Sequence, residues 1–346
     1  MPNTKLRYSS ILFCLLCVLT LTVMSVVGCK SSTESSTGAT LIWQQIADPN
    51  DSTIISFAPS GTTIYALTSA GAVFRSTTDG DAWVNVSPDH IFGIACNGTS
   101  IFAAGQQTGV LRSTDNGDTW KLVLGLSNNL TPPTLAANGA TIFAGMSKKP
   151  YGLSIFRSDD NGDTWAEADS GLSSYQGVVT FGINTNAIFA ETYPSSAKLY
   201  RSTNNGTAWS QIDTSEPSFY GVTAFTVSGN TVFVARNVNL LTGAIIDRSE
   251  DDGSTWVHTA KSPGFYGSDH VSAIAVHGKQ IFAAWAPIIY EYADQTLGVY
   301  YSQDLGDSWT QSDIGLKDSA VTALGINRTI LFAGTQSGKI FRASIP

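Results

Sequence analysis

Cysteine is scarce in this chain of 346 residues: four in all, at positions 14, 17, 29 and 96. Three fall within the first 29 residues, so Cys96 stands alone beyond them and has no partner for an internal disulfide. It lies in Ile94-Ala95-Cys96, an apolar strand pattern, and reads as a buried, inert thiol rather than a nucleophile. Charged residues are few as well, at 13%. The four histidines, His90, His258, His270 and His277, show no metal-ligand spacing, so no metal and no cofactor is expected. There is no Gly-x-Ser-x-Gly elbow and no phosphate loop. No segment sustains a helical period. Beyond residue 29 the chain keeps 17 basic against 27 acidic residues, a balance of −10, with no basic stripe. Such a surface repels phosphate backbones, which excludes nucleic acid as a partner.

Long hydrophobic runs are also missing, save one. Lys5 and Arg7 precede an apolar run from Ile11 to Val27, which ends in Val26-Val27-Gly28-Cys29. A charged start, an apolar stretch and a small-residue exit make an export signal. The Gly-Cys ending resembles the lipobox of bacterial lipoproteins, and on that resemblance Cys29 carries the lipid. Residues 1–29 are thus expected to be the signal, and residues 30–40, Ser/Thr-rich from Ser31 to Thr40, a flexible tether. The membrane is reached only through the N-terminal lipid. Lys30 after the Cys, in place of Asp, points to the outer membrane of a cell envelope.

What the chain has in abundance is a repeat. Three copies of Ser-x-Asp-x-Gly-x-Thr-Trp are complete: Ser113, Asp115, Gly117, Trp120; Ser158, Asp160, Gly162, Trp165; and Ser249, Asp251, Gly253, Trp256. Ser302, Asp304, Gly306 and Trp309 belong to a fourth with Ser308 for Thr, and two worn copies carry Thr78 and Asn204 at the Asp position. A second motif occurs seven times, from Ile64-Tyr65-Ala66 through Ile101-Phe102-Ala103 to Leu331-Phe332-Ala333. Each copy stands between two apolar stretches, separated by Gly/Asn turns. A supersecondary unit repeated at a fixed interval builds a closed or stacked architecture, and four short hairpin-linked strands per unit make a propeller blade. The expected fold is all-β: one seven-bladed β-propeller of four-stranded antiparallel blades over residues 41–346. The seventh unit stops after Phe341-Arg342 without a cassette, whereas Leu41-Ile42-Trp43 has no strands before it. The N-terminal strand is therefore expected to complete the last blade and hide an edge.

The cassette resembles the Asp-box (BNR) repeat, over almost the whole chain beyond the tether. That resemblance places the boxes on the turn between third and fourth strands, away from known active sites, and makes their Ser, Asp, Gly and Trp structural. Arg75, Arg112, Arg157, Arg201 and Arg248, each just before a cassette Ser, share the period and are scaffold too. Propellers with such boxes include sialidases, endoglucanases, sortilin-type receptors and photosystem II assembly factors. A sialidase needs three arginines around a carboxylate; only Arg236 and Arg328 lie outside the repeat positions, which cannot make three. An endoglucanase needs two carboxylates across a cleft, and Glu191, Asp269, Glu291, Asp294 and Asp318 are read as solvated loop acids. The single exported propeller matches the assembly factors best, although their arginine-rich surface is absent.

What remains is a set of unequal, aromatic loops on the face opposite the cassettes. Tyr193, Tyr220, Tyr266, Trp285, Tyr290 and Glu291 are the candidate ligand-binding residues, with Trp285 the only Trp outside the fourth-strand positions. Aromatic residues on variable loops of a rigid scaffold anchor interfaces. The expected function is a monomeric, non-catalytic module of the cell envelope that binds or assembles a protein partner. Binding or cleavage of a glycan is the alternative.

Overall fold

The computed structural model describes residues 41–346 apart from 89, 106–107, 126–133, 148–152, 173–176, 194–197, 213–221, 240–242, 260–268, 288–297 and 317–319. Seven four-stranded antiparallel sheets are formed, and no helix occurs among the described residues. Blade 1 shows the pattern: Ile54–Ser60, Thr63–Thr68, Val73–Ser76 and Val84–Asn85 pair in chain order. Blades 2 to 6 repeat it, their innermost strands being Ile91–Cys96, Thr134–Asn138, Gly177–Ile183, Val222–Ser228 and Asp269–His277. Blade 7 comprises Val321–Asn327, Ile330–Thr335 and Ile340–Ser344, and innermost strands of neighbouring blades meet around a ring.

The fourth strand of blade 7 comes from the other end of the chain. Gln44–Gln45 pairs antiparallel with the third strand, Gln44 opposite Arg342 and Gln45 opposite Phe341. Leu41 and Trp43 are buried beside Phe341 and Val321. Trp43 also does what cassette tryptophans do. Its Nε1 donates to Ser312 O in blade 6 at 2.7 Å, just as Trp120 donates to Val86 O of blade 1 at 2.9 Å.

The core follows from strand alternation, in which successive side chains point to opposite faces. In Ile101-Phe102-Ala103-Ala104 of blade 2, Ile101 and Ala103 pack with Tyr65 and Leu67 of blade 1. Phe102 and Ala104 pack with Ile142 and Ala144 of blade 3. Six phenylalanines and Tyr65 fill this second place, each almost wholly buried. That is why the motif counts blades so well: each copy is glue for two interfaces.

The cassette is a self-contained turn. Ser113 Oγ accepts from Gly117 N at 2.7 Å and donates to Asp115 Oδ1 at 2.7 Å. Asp115 accepts from the Thr119 hydroxyl (2.5 Å) and amide (2.9 Å). The worn copies keep the same bond, since Thr78 Oγ1 and Asn204 Oδ1 accept from Ala82 N and Ala208 N. Gly117 sits at φ 95°, and a Cβ there would crowd Val86 at 3.1 Å.

The periodic arginines clasp neighbouring blades. Arg75 donates to Asn116 O and pairs with Asp118 of the next cassette, both at 2.8 Å. Arg112 reaches Asn161 O and Asp163, Arg201 reaches Asp252 O, Arg248 reaches Leu305 O and Asp307, and Arg342 reaches Asp79 O and Asp81. Two departures fit the chemistry. Blade 4 has Thr207 where the cassettes of blades 1, 2, 3 and 6 offer an acid, and Arg157 instead pairs with its own Asp159; blade 5 has Ser254 there, whose Oγ accepts from Arg201 at 3.0 Å. Blade 7 has no cassette to clasp, and blade 6 carries Tyr301 at the arginine position, stacked on Phe282 at 5.1 Å.

Candidate functional site

The two ends of the ring differ. Cassettes and first hairpins, such as Ser60–Thr63 in blade 1, share one end, so each innermost strand begins at the opposite end. There, among the described residues, six innermost strands carry a one-residue bulge: at Ile55, Phe92, Val179, Thr223, Ser272 and Thr322. The extra residue has no ladder partner, and its side chain is re-aimed. Ser272 Oγ reaches across to Val321 O, and Thr322 Oγ1 to Ile54 O, both at 2.6 Å. These bonds set the Ser272 and Thr322 side chains between neighbouring innermost strands. Thr223 Oγ1 is buried with no bond among the described residues. Ile55 and Phe92 cannot make such bonds and remain 41% and 42% exposed. Sequence reasoning missed this collar. Its signal was present, as doubled apolar residues at strand starts (Ile54-Ile55, Ile91-Phe92) against Val271-Ser272 and Val321-Thr322.

Of the aromatic residues expected to bind ligand, Trp285 is placed differently. It is not in a loop: it belongs to the strand Gln280–Pro287, which runs past the end of the repeat motif. It is 2% exposed, packed edge-on against Tyr300 at 6.2 Å within the interface of blades 5 and 6. Tyr193 ends the second strand of blade 4 opposite Gly177, but its side chain lies outside the described residues. Tyr220, Tyr266, Tyr290, Glu291 and Cys29 lie outside them too, as do Asp294 and Asp318.

Glu191 is likewise no loop acid. It occupies the strand Ile188–Tyr193, paired with Leu199, and is 5% exposed. Leu199 packs against Val232 and Val234, so Glu191 points into the seam between blades 4 and 5. Other blades hold Leu67, Ala104, Gly145, Ala235, Ala284 or Gly334 in that place. Burial pushes its carboxyl up to about 8, leaving it protonated at neutral pH. Blade 5 brings its own departure to this seam: buried Arg236 pairs with Asp247, which also holds the His258 ring.

Every arginine among the described residues is engaged. Arg236 pairs with Asp247 and Arg328 with Asp79, and the other six form the clasps or the Arg157–Asp159 pair. None is left to fork around a substrate carboxylate. Cys96 is half-buried, and burial pushes its thiol up to about 12. No group of three His, Cys, Asp or Glu positioned for a metal ion occurs among the described residues. Nor does any helix there have the length and apolarity to cross a membrane.

No family model matches the sequence, and no curated protein matches it. Solved structures do match in shape. A YCF48 bound to a D1 peptide superposes with a TM-score of 0.67 at 16% identity, covering 88% of this chain and 97% of its own. The virginiamycin B lyase of Staphylococcus aureus gives 0.66 at 15% identity, over 88% and 100%. The GH74 xyloglucanase of Xanthomonas campestris gives 0.61 at 18%; the match covers 86% of this chain but 53% of that enzyme. The likeness is one of fold. Those propellers include a peptide-bound protein and enzymes, so the fold alone does not choose between binding and catalysis.

Proposed function

We propose that this protein is a non-catalytic propeller of the bacterial cell envelope, held by a lipid on Cys29, that docks a protein partner on the ring end opposite the cassettes. The observation that carries it is the asymmetry of the two ends. At the cassette end, polar side chains are spent on turns and clasps. At the other end, Ile55 and Phe92 stay exposed. The YCF48 bound to a D1 peptide is a precedent for a propeller of this shape holding a protein segment.

Hydrolysis of a glycan is supported by the likeness to the xyloglucanase and by a carboxyl with a raised pKa, which a general acid needs. The burial of Glu191 within a blade seam counts against it, because a sugar must touch its acid. The test is cross-linking of the full-length protein in its host envelope, followed by capture and mass spectrometry. The expected result is one envelope protein in stoichiometric yield. Recovery of the propeller alone, together with sugar release from envelope or plant polysaccharide by the purified protein, would overturn the proposal. Replacement of Cys29 by Ala should release the protein from membranes; retention there would refute the lipid anchor.

A further inference from the structure

The collar of bulged residues is not uniform. Blades 1 and 2 contribute Ile55 and Phe92, adjacent in the ring and both exposed, while blades 5, 6 and 7 contribute the hydroxyls of Thr223, Ser272 and Thr322. The collar is therefore apolar at blades 1 and 2 and carries hydroxyls at blades 5 to 7, with Thr322 of blade 7 bonded directly to blade 1. Charge narrows the occupant further. All the described arginines are tied up, and beyond the signal acids outnumber bases by ten. Asp51 stands exposed on the segment that leads into the innermost strand of blade 1, three residues ahead of Ile54. A field of that sign draws cations and rejects anions.

We propose that the collar seats an extended, basic protein segment: one aliphatic or aromatic side chain rests against Ile55 and Phe92, and Lys or Arg beside it meets the acidic surface. This rests on the docking function above and names the chemistry of the segment docked. An extended segment fits because Ile55 and Phe92 stand at bulges of the innermost strands of the ring, where a flat folded surface does not reach. The Ser272 and Thr322 hydroxyls, already donating to Val321 O and Ile54 O, offer the segment's backbone amides an acceptor oxygen.

The experiment uses the full-length protein in detergent and a short fluorescent peptide with a central Lys-Phe-Lys, read by anisotropy. Companion peptides carry Ser for Phe, or Glu for both Lys. Saturable binding of the Lys-Phe-Lys peptide alone is expected, weakening as salt is raised. Phe92→Ser and Ile55→Ser should each weaken it at least about tenfold. Val257→Ser should leave it unchanged, since Val257 is more exposed still, at 54%, but lies on the outer strand of blade 5. Melting curves of the three variants show whether each is folded. Equal binding of the Ser peptide, unchanged affinity in folded Phe92→Ser and Ile55→Ser, or no saturable binding would overturn the collar. In those cases a cross-linked envelope partner that is still captured leaves the docking function standing; the loss of both removes both.

Discussion

Trp285 and Phe92 show how much a single position decides. Both are large, and both stand at the end of the ring away from the cassettes. Trp285 has closed the interface of blades 5 and 6 over itself, whereas Phe92 is held open by its bulge. Opposite consequences are expected. Trp285→Ala leaves a cavity among Tyr300, Ala235 and Val271 and should cost about 3–5 kcal/mol of stability. Phe92→Ser should shift the melt by less than about 1 kcal/mol. Thermal melts of the two variants check this, and a Trp285→Ala protein as stable as wild type would show the packing to be wrong. Loss of partner in Trp285→Ala therefore says nothing of a direct contact unless the variant is first shown to be folded.

At the scale of the element, blade 7 and the arginine clasps are the places to press. Its fourth strand is brought in by Leu41, Trp43 and Ile46, all buried, and both Leu41 N and Trp43 Nε1 bond back to Ser312 of blade 6. Deletion of residues 41–46 removes these three side chains and bares the edge of Ile340–Ser344. The expected product melts far lower and aggregates on that edge; an unchanged melting temperature would mean the strand is dispensable. The clasps invite a gentler test. Arg157 turns to Asp159 because blade 4 offers Thr207 in place of an acid. Asp159→Asn with Thr207→Asp should swing it across the seam and add up to about 1 kcal/mol, lost in high salt. No gain at low salt would break that account.

These elements were legible in the sequence because their cause is local. A turn that satisfies its own amides repeats wherever Ser-x-Asp-x-Gly is written, and Ile-Phe-Ala recurs because every blade has two neighbours. What was not legible was facing. Glu191 and Trp285 sit one and two places beyond a recognisable Ile-Phe-Ala, where the strand continues but the repeat does not. From composition they read as loop residues. Only the pairing of Glu191 with Leu199, and of Trp285 with Val271, turns them inward. The collar was hidden for the converse reason: an apolar residue beside another apolar residue looks like core until a bulge turns it out.

For the whole molecule, the two kinds of unusual carboxyl set opposing pH limits. The cassette acids Asp115 and Asp160 are held down to about 2 by the hydroxyls and amides of Thr119 and Thr164, and Asp251 by the amide and hydroxyl of Thr255. A depressed folded pKa contributes stability above the unfolded value, near 3.8, and that contribution is lost as pH falls toward 2. Glu191 works the other way. Its pKa rises from 4.5 to about 8 on folding, so the unfolded chain releases this proton first. Stability is then greatest below about 4.5, declines by about 1.4 kcal/mol per pH unit as pH rises, and levels off beyond 8. The optimum should thus fall near pH 4 to 5, below the usual range. Glu191→Gln removes the alkaline decline and should raise the melting temperature at pH 8 by about 5 °C, with little change at pH 4. Melts across pH 3 to 9 decide the matter: a decline between pH 5 and 8 that persists in Glu191→Gln would assign it to another group. If the decline goes, the seam between blades 4 and 5 is the part of the ring that loosens first in alkali, and hydrogen exchange should show protection lost there before elsewhere.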